Sequence, residues 1–182
     1  MKFTKTDIPG CFLIELSAFR DERGWFSRLF CQDTFLKEGI DFQVRQINQS
    51  MNKERHTFRG MHMQRPPFSE GKIVRCVSGA VQDFVLDLRL GSPTLLKTSS
   101  FHLSENDEKL LYIPKGIAHG FLTLEESSSL TYLHDTNYVP EAEFGVRFDD
   151  PAIDLILPYA IRNISEKDVS YPLLSDFKGF KI

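Results

Sequence analysis

The sequence predicts an all-β fold, a jelly-roll barrel with a few short helices, and three observations carry that reading. Short strand-like runs dominate the chain, turns rich in Gly and Pro separate them, and helical periodicity is scarce. At 182 residues the chain suits one well-packed domain, taken here as 1–182, and is short for two.

The first strand is expected at Cys11–Leu16, an apolar run broken only by Glu15. A short helix follows at Gln32–Glu38, where Asp33 is placed to cap the free amides of the first turn. Strands are then expected at Lys72–Val77, Val81–Arg89, Lys97–Leu103, Leu110–Ile113, Gly120–Leu124 and Ser129–His134. Within Val81–Arg89 the residues Phe84, Leu86 and Leu88 recur with a period of two, which puts an apolar row on one face. Ser78-Gly79, Gly91-Ser92-Pro93 and Pro114-Lys115-Gly116 are chain-reversal sequences between these runs. From about residue 149 prolines and acidic turns replace the strand pattern, and this segment is expected to wrap the barrel.

Bulk properties narrow the function classes. A net charge of -3 gives no electrostatic footprint for nucleic acid, and no stretch approaches the roughly 18 apolar residues of a membrane span. Cys11, Cys31 and Cys76 are odd in number and lack Cys-x-x-Cys spacing, so neither a disulfide framework nor a structural zinc site is expected. The first ten residues carry no apolar core of signal-peptide length, and a cytoplasmic protein is expected.

Two histidines stand in short strand-and-turn contexts: His62 in Arg59-Gly60-Met61-His62-Met63-Gln64, and His119 in Ile113 to Phe121. With Lys72, Tyr132 and Asp168 they would supply a base, its orienting carboxylate, a fixed positive charge and an acid. Such a set moves protons on carbon. A hydrogen beside a ketone is too weakly acidic for a free imidazole, so the enolate must be stabilised as it forms, and an ammonium near the carbonyl oxygen does that. An imidazole, with an ordinary pKa of about 6.5, is suited to accept the proton near neutral pH. Inversion then needs a second acid on the opposite face.

Several segments resemble, in order, the dTDP-4-dehydrorhamnose 3,5-epimerase family: Asp21 to Phe26, Gln46 to Ser50, Arg59 to Gln64, Gly71 to Cys76, Ser92 to Thr94, Ile113 to Phe121 and Ser165 to Asp168. The resemblance implies a cupin-type jelly roll and a homodimer that exchanges N-terminal strands. It also implies catalysis without metal or organic cofactor on a nucleotide-linked 4-keto-6-deoxyhexose. It assigns His62 as the base, Asp168 as its partner, Tyr132 as the proton donor and Lys72 as the lysine beside the sugar ketone. Arg23, Gln46, Asn48, Arg59, His119, Glu143 and Lys167 fall on positions that contact the nucleotide, diphosphate or sugar, Arg23 reaching the neighbouring subunit. Relatives invert C3, C5 or both, and spacing does not choose among these.

Arg28 stands where the family pattern has a glutamate that helps bind the nucleotide, so a donor-only cation replaces an acceptor. Glu70 stands where glutamine is common, and Phe148 where tryptophan is frequent. His56, His102 and His134 match no motif and are expected at the surface, while Met61 and Met63 are expected to pack. Two other readings compete. A metal-dependent cupin would draw ligands from His-x-His, a carboxylate and a later histidine, here His62-Met63-Gln64, Glu70 and His119, with glutamine a poor ligand in the second place. A non-catalytic sugar-nucleotide-binding module would need no base and acid together.

Overall fold

The computed structural model describes residues 1–182. Its strands in chain order are β1 (Lys2–Lys5), β2 (Phe12–Glu15), β3 (Phe19–Asp21), β4 (Gly24–Phe26), β5 (Gln46–Asn52), β6 (Phe58–Gln64), β7 (Lys72–Ser78), β8 (Ala80–Asp87), β9 (Thr98–Ser104), β10 (Lys109–Ile113), β11 (Ile117–Thr123), β12 (Ser128–His134) and β13 (Glu143–Gly145). Helices are α1 (Gln32–Lys37) and α2 (Glu166–Ser170). A six-stranded antiparallel sheet, ordered β1-β2-β10-β7-β12-β5, and a five-stranded one, ordered β13-β6-β11-β8-β9, form the cupin-type barrel, while β3 and β4 make a separate hairpin. No helix is long and apolar enough to cross a membrane.

Three apolar clusters explain why a strand-rich sequence closes this way. Between the sheets lie Val74, Cys76, Leu111 and Leu130 from one and Val81, Val85, Ile117 and Phe121 from the other. On the outer face of the six-stranded sheet, Ile14, Ile73 and Leu110 meet Phe35 of α1 and Phe42. On the outer face of the five-stranded sheet, Phe84, Leu86 and Leu88 are covered by Leu155, Leu157, Ile161, Ile164 and Phe177. Burying each such side chain contributes about 1.5–3 kcal/mol. Both faces of β8 are therefore buried: Phe84 and Leu86, continued by Leu88 just past the strand, face outward beneath the C-terminal segment, and the alternate row, with Asp83 in it, faces the interior.

Several local expectations change. Cys31, not Asp33, is the N-cap of α1, and no side chain caps it; Asp33 sits in the first turn, where its charge favours the helix dipole. β11 begins at Ile117, before Gly120, and so carries His119 within the strand. β1, β5 and the β3–β4 hairpin were not expected as strands, because their polar or short runs lack an alternating apolar row. Met61 and Met63 pack in the outer cluster as expected.

Candidate active site

The apolar filling of the barrel stops short of one end, where polar side chains from both sheets converge. On the six-stranded sheet, register places Gln46, His134 and Lys72 in one row across β5, β12 and β7, and Asn48, Tyr132 and Val74 in the next. On the five-stranded sheet, His62 of β6 and His119 of β11 are direct partners. The close approach of β6 and β11 depends on glycine. Gly60 has φ +132, and a Cβ there would lie 2.5 Å from the Gly120 Cα. Arg-Gly-Met-His and His-Gly-Phe thus meet glycine to glycine, which fixes the two histidines relative to each other.

His62 and Asp168 form the central pair. The Nε2 of His62 lies 2.7 Å from Asp168 Oδ1, with the imidazole 36% and the carboxylate 4% exposed. Asp168 Oδ2 accepts from the Gly60 amide at 3.3 Å. Burial raises the Asp168 carboxyl, but the bonds from His62 and Gly60 outweigh it, and it stays below its ordinary value. An ionised Asp168 only accepts, so the ring proton sits on Nε2, and Nδ1 keeps the free lone pair. Asp168 reaches this position through α2, whose N-cap Ser165 accepts from the Asp168 amide at 3.1 Å, a cap that contributes about 1 kcal/mol.

Tyr132 and Lys72 come from the facing sheet. Tyr132 is bonded to Ser50 through its hydroxyl at 3.0 Å, and burial pushes its phenol well above the ordinary range, so it remains protonated. Lys72 is buried, its Nζ 2.9 Å from Glu70 Oε1 and donating to the His62 carbonyl at 3.0 Å. Removing one partner of such a buried pair typically costs about 3–5 kcal/mol.

A second histidine–carboxylate pair lies deeper. His119 Nε2 is 2.8 Å from Asp83 Oδ2, and the pair is all but enclosed, 7% and 0% exposed. Burial raises the Asp83 carboxyl, opposed by His119 and Lys72. Asp83 lay on the row of β8 that points inward, and a carboxylate among Val81 and Val85 is the signal by which this partner was findable.

These groups line one cleft with two lobes. A cavity of about 200 Å³ includes Gln46, Gln64, Glu70, Tyr138 and Glu143 in its wall, and one of about 550 Å³ includes Ser50, Arg59, His119, Tyr132 and Asp168. Asn48, His62, Lys72, His134 and Lys167 line both. Glu143 pairs with Lys167 and accepts from Tyr171 at 2.6 Å and Tyr138 at 2.8 Å. Burial raises its carboxyl, but these donors outweigh it and hold it down to about 2. Arg59 is fixed by donating Nε–H to Asn52 at 2.7 Å.

Within this chain Arg23 and Arg28 stand apart from the cleft. Arg23 pairs with Asp21 on the exposed β3–β4 hairpin, and Arg28 is exposed just beyond it. His134, expected at the surface, instead faces Lys72 across the strand pair in the cleft, where burial and the neighbouring ammonium lower its pKa to about 4. Its parity with Tyr132 on β12 was the available signal. His56 is also buried, stacked on Tyr159 at 4.7 Å, whereas His102 is exposed as expected. Tyr138 and Tyr171 carried no sequence signal, and Ser50, the last residue of the segment Gln46 to Ser50, was given no role of its own.

The donor set expected of a metal-dependent cupin does not converge. His62 is engaged with Asp168, Glu70 with Lys72, and His119 with Asp83, and no group of three or more His, Cys, Asp or Glu side chains is placed to hold an ion.

Comparison with known proteins agrees with the motif order. The family model described as dTDP-4-dehydrorhamnose 3,5-epimerase matches residues 5–176. The dTDP-4-dehydrorhamnose 3,5-epimerase of Sinorhizobium fredii is 39% identical over 177 residues, 97% of this chain and 91% of that protein. The crystal structure of the enzyme of that name from Elizabethkingia anophelis superposes with a TM-score of 0.91 at 34% identity, covering 98% of each chain. The Bacillus anthracis counterpart, solved with TDP and PPi bound, gives 0.89 at 32% identity, covering 95% of this chain and 99% of that one.

Proposed function

The chain belongs to the dTDP-4-dehydrorhamnose 3,5-epimerase family, and from that premise we propose that it is an isomerase inverting C3, C5 or both of a dTDP-linked 4-keto-6-deoxyhexose. The observation that carries this reading is one cleft holding a carboxylate-bound histidine, a buried ammonium and a protonated phenol. A binding module would need none of the three together.

In this reading Nδ1 of His62 removes the hydrogen from carbon beside the C4 ketone, and Asp168 supports the imidazolium that forms. Lys72 and His119 face the developing C4 oxyanion. Tyr132 returns a proton from the opposite side, giving the inverted centre, and its neutral phenol supports that role. Arg59, Lys167, Gln46 and Asn48 hold the nucleotide diphosphate. Glu143 orders Lys167 and Tyr138 at the edge of the cleft.

The cleft's nucleotide end is completed, in this proposal, by a second copy. Phe19 and Phe26 on the β3–β4 hairpin are 75% and 70% exposed, and Ile47 and Met51 on the edge strand β5 are 64% and 53% exposed. Apolar surface of this kind supports the homodimer with exchanged N-terminal strands, in which the hairpin that follows them would carry Arg23 and Arg28 to the partner's cleft. Arg28 would there meet the base as a donor and loosen selection for thymine.

Turnover of dTDP-, UDP-, CDP- and GDP-linked 4-keto-6-deoxyglucose by the parent and by Arg28→Glu tests both points. The parent is expected to convert the dTDP sugar. Arg28→Glu is expected to raise the kcat/KM preference for dTDP over CDP at least threefold, about 0.65 kcal/mol. No conversion of any of the four defeats the epimerase reading. An unchanged preference shows Arg28 to be neutral.

A further inference from the structure

We propose that Glu70 is a positioning residue for the reaction, acting through Lys72: it clamps the ammonium at the junction of the two lobes and carries its compensating charge. The inference rests on the reading of Lys72 as the partner of the C4 oxygen and adds to it the group that aims it.

An ammonium has three N–H donors. One of those on Lys72 faces Glu70 Oε1 at 2.9 Å and another goes to the His62 carbonyl at 3.0 Å, which leaves the third for a ligand oxygen in the cleft that Lys72 lines. The clamp is itself held. Glu70 Oε2 accepts from the Gln64 amide at 2.9 Å, and the Gln64 side chain donates to the carbonyls of Phe68 at 3.1 Å and Asn137 at 3.2 Å. A long flexible side chain is thereby fixed to β6, the strand that carries the base, so Lys72 and His62 share one rigid support.

Groups facing Lys72 include His62 on β6, Asp83 on β8, His119 on β11 and Tyr132 and His134 on β12. Behind the chain at Gly71, Asp135 accepts from the Gly71 amide at 2.7 Å and pairs with Lys115 at 3.6 Å. Asp168 and Asp83 are each engaged by a histidine, and Glu143 by Lys167. Glu70 is the carboxylate in direct contact with Lys72. A buried ammonium stripped of its partner favours its neutral, uncharged form, which cannot stabilise an oxyanion.

Glu70→Gln preserves size and an acceptor for the Gln64 amide but removes the charge. Measured as kcat/KM against pH, the variant is expected within threefold of the parent at pH 6.5 and progressively further below it as pH rises, its alkaline limb lying at lower pH than the parent's. Glu70→Asp, which keeps the charge and displaces it, is expected to retain the parent's alkaline limb with kcat lowered at every pH. In a Lys72→Met background the added Glu70→Gln change is expected to have no further effect on activity. Superimposable profiles for the parent and Glu70→Gln, with Lys72→Met reduced to a small residual activity, would overturn this inference and leave the epimerase reading intact. Lys72→Met at parental activity would overturn the assignment of Lys72 and this inference with it. If Glu70→Gln does not fold, Glu70→Asp decides alone, and a parental kcat in that variant refutes the clamp. A purely structural role would lower Tm without moving the alkaline limb.

Discussion

His62→Asn is expected to reduce kcat by roughly 10³-fold or more, about 4 kcal/mol of barrier, while the protein stays folded. The carboxamide can still hydrogen-bond but has no lone pair basic enough to take a proton from carbon. The fold is expected to survive because the imidazole is 36% exposed, so its loss opens no sealed cavity, and the neighbouring Met61 and Met63 carry the packing of β6. A Tm within a few degrees of the parent would show this. Asp168→Asn is expected to lose less, since the amide keeps much of the geometry while withdrawing the charge that supports the imidazolium. Steady-state kinetics within tenfold of the parent for His62→Asn would remove His62 from the role of base, and equal activity of parent and Asp168→Asn would mean that the pair does not act as a unit.

Tyr132→Phe should separate the two halves of inversion. The phenyl ring fills nearly the same space against His119 and His134, at centroid distances of 6.0 and 6.3 Å, so the cleft keeps its shape and only the hydroxyl is lost. Deprotonation by His62 is expected to continue, and protonation on the far face to slow by roughly 10²–10⁴-fold. The variant therefore exchanges substrate hydrogen with solvent faster than it forms inverted product, the reverse of the parent. The hydroxyl contact with Ser50 makes Ser50→Ala a milder probe of the same step, acting on the donor's orientation. Equal loss of exchange and of product, in a folded variant that still binds substrate, would count against Tyr132 as a separate acid.

Much of the barrel was legible in the sequence because its strands alternate. The runs at Lys72, Val81 and Ser129 fall on β7, β8 and β12 within a residue or two. β5 was not legible as a strand, since Gln46 to Asn52 has its apolar residues, Ile47 and Met51, on the exposed face, and its inward residues are polar because they line the cleft. The site followed the same division. His62, Lys72 and His119 stand in motifs whose order pointed to a family, and their meeting depends on the register of β6 with β11, to which Gly60 and Gly120 are the only local clue. Asp83 and His134 were passed over because a polar residue on the inward row of a strand reads as a break in the pattern, when in a barrel with a polar end it belongs to the site: His134 lines the cleft, and Asp83, fully buried, holds His119 from behind. Tyr138 and Tyr171 converge on Glu143 from separate loops, and no periodicity forecasts a contact between loops.

The central claim, that inversion proceeds by removal of a proton to His62 and delivery of another from the opposite face, is tested most directly by proton and carbon NMR of dTDP-4-keto-6-deoxyglucose incubated with the parent protein in deuterium oxide. The expected result is one deuterium at each inverted carbon, C3, C5 or both, with the new configuration at that carbon and full protium elsewhere on the ring. Inverted product that retains its original hydrogen at the inverted carbon would contradict it.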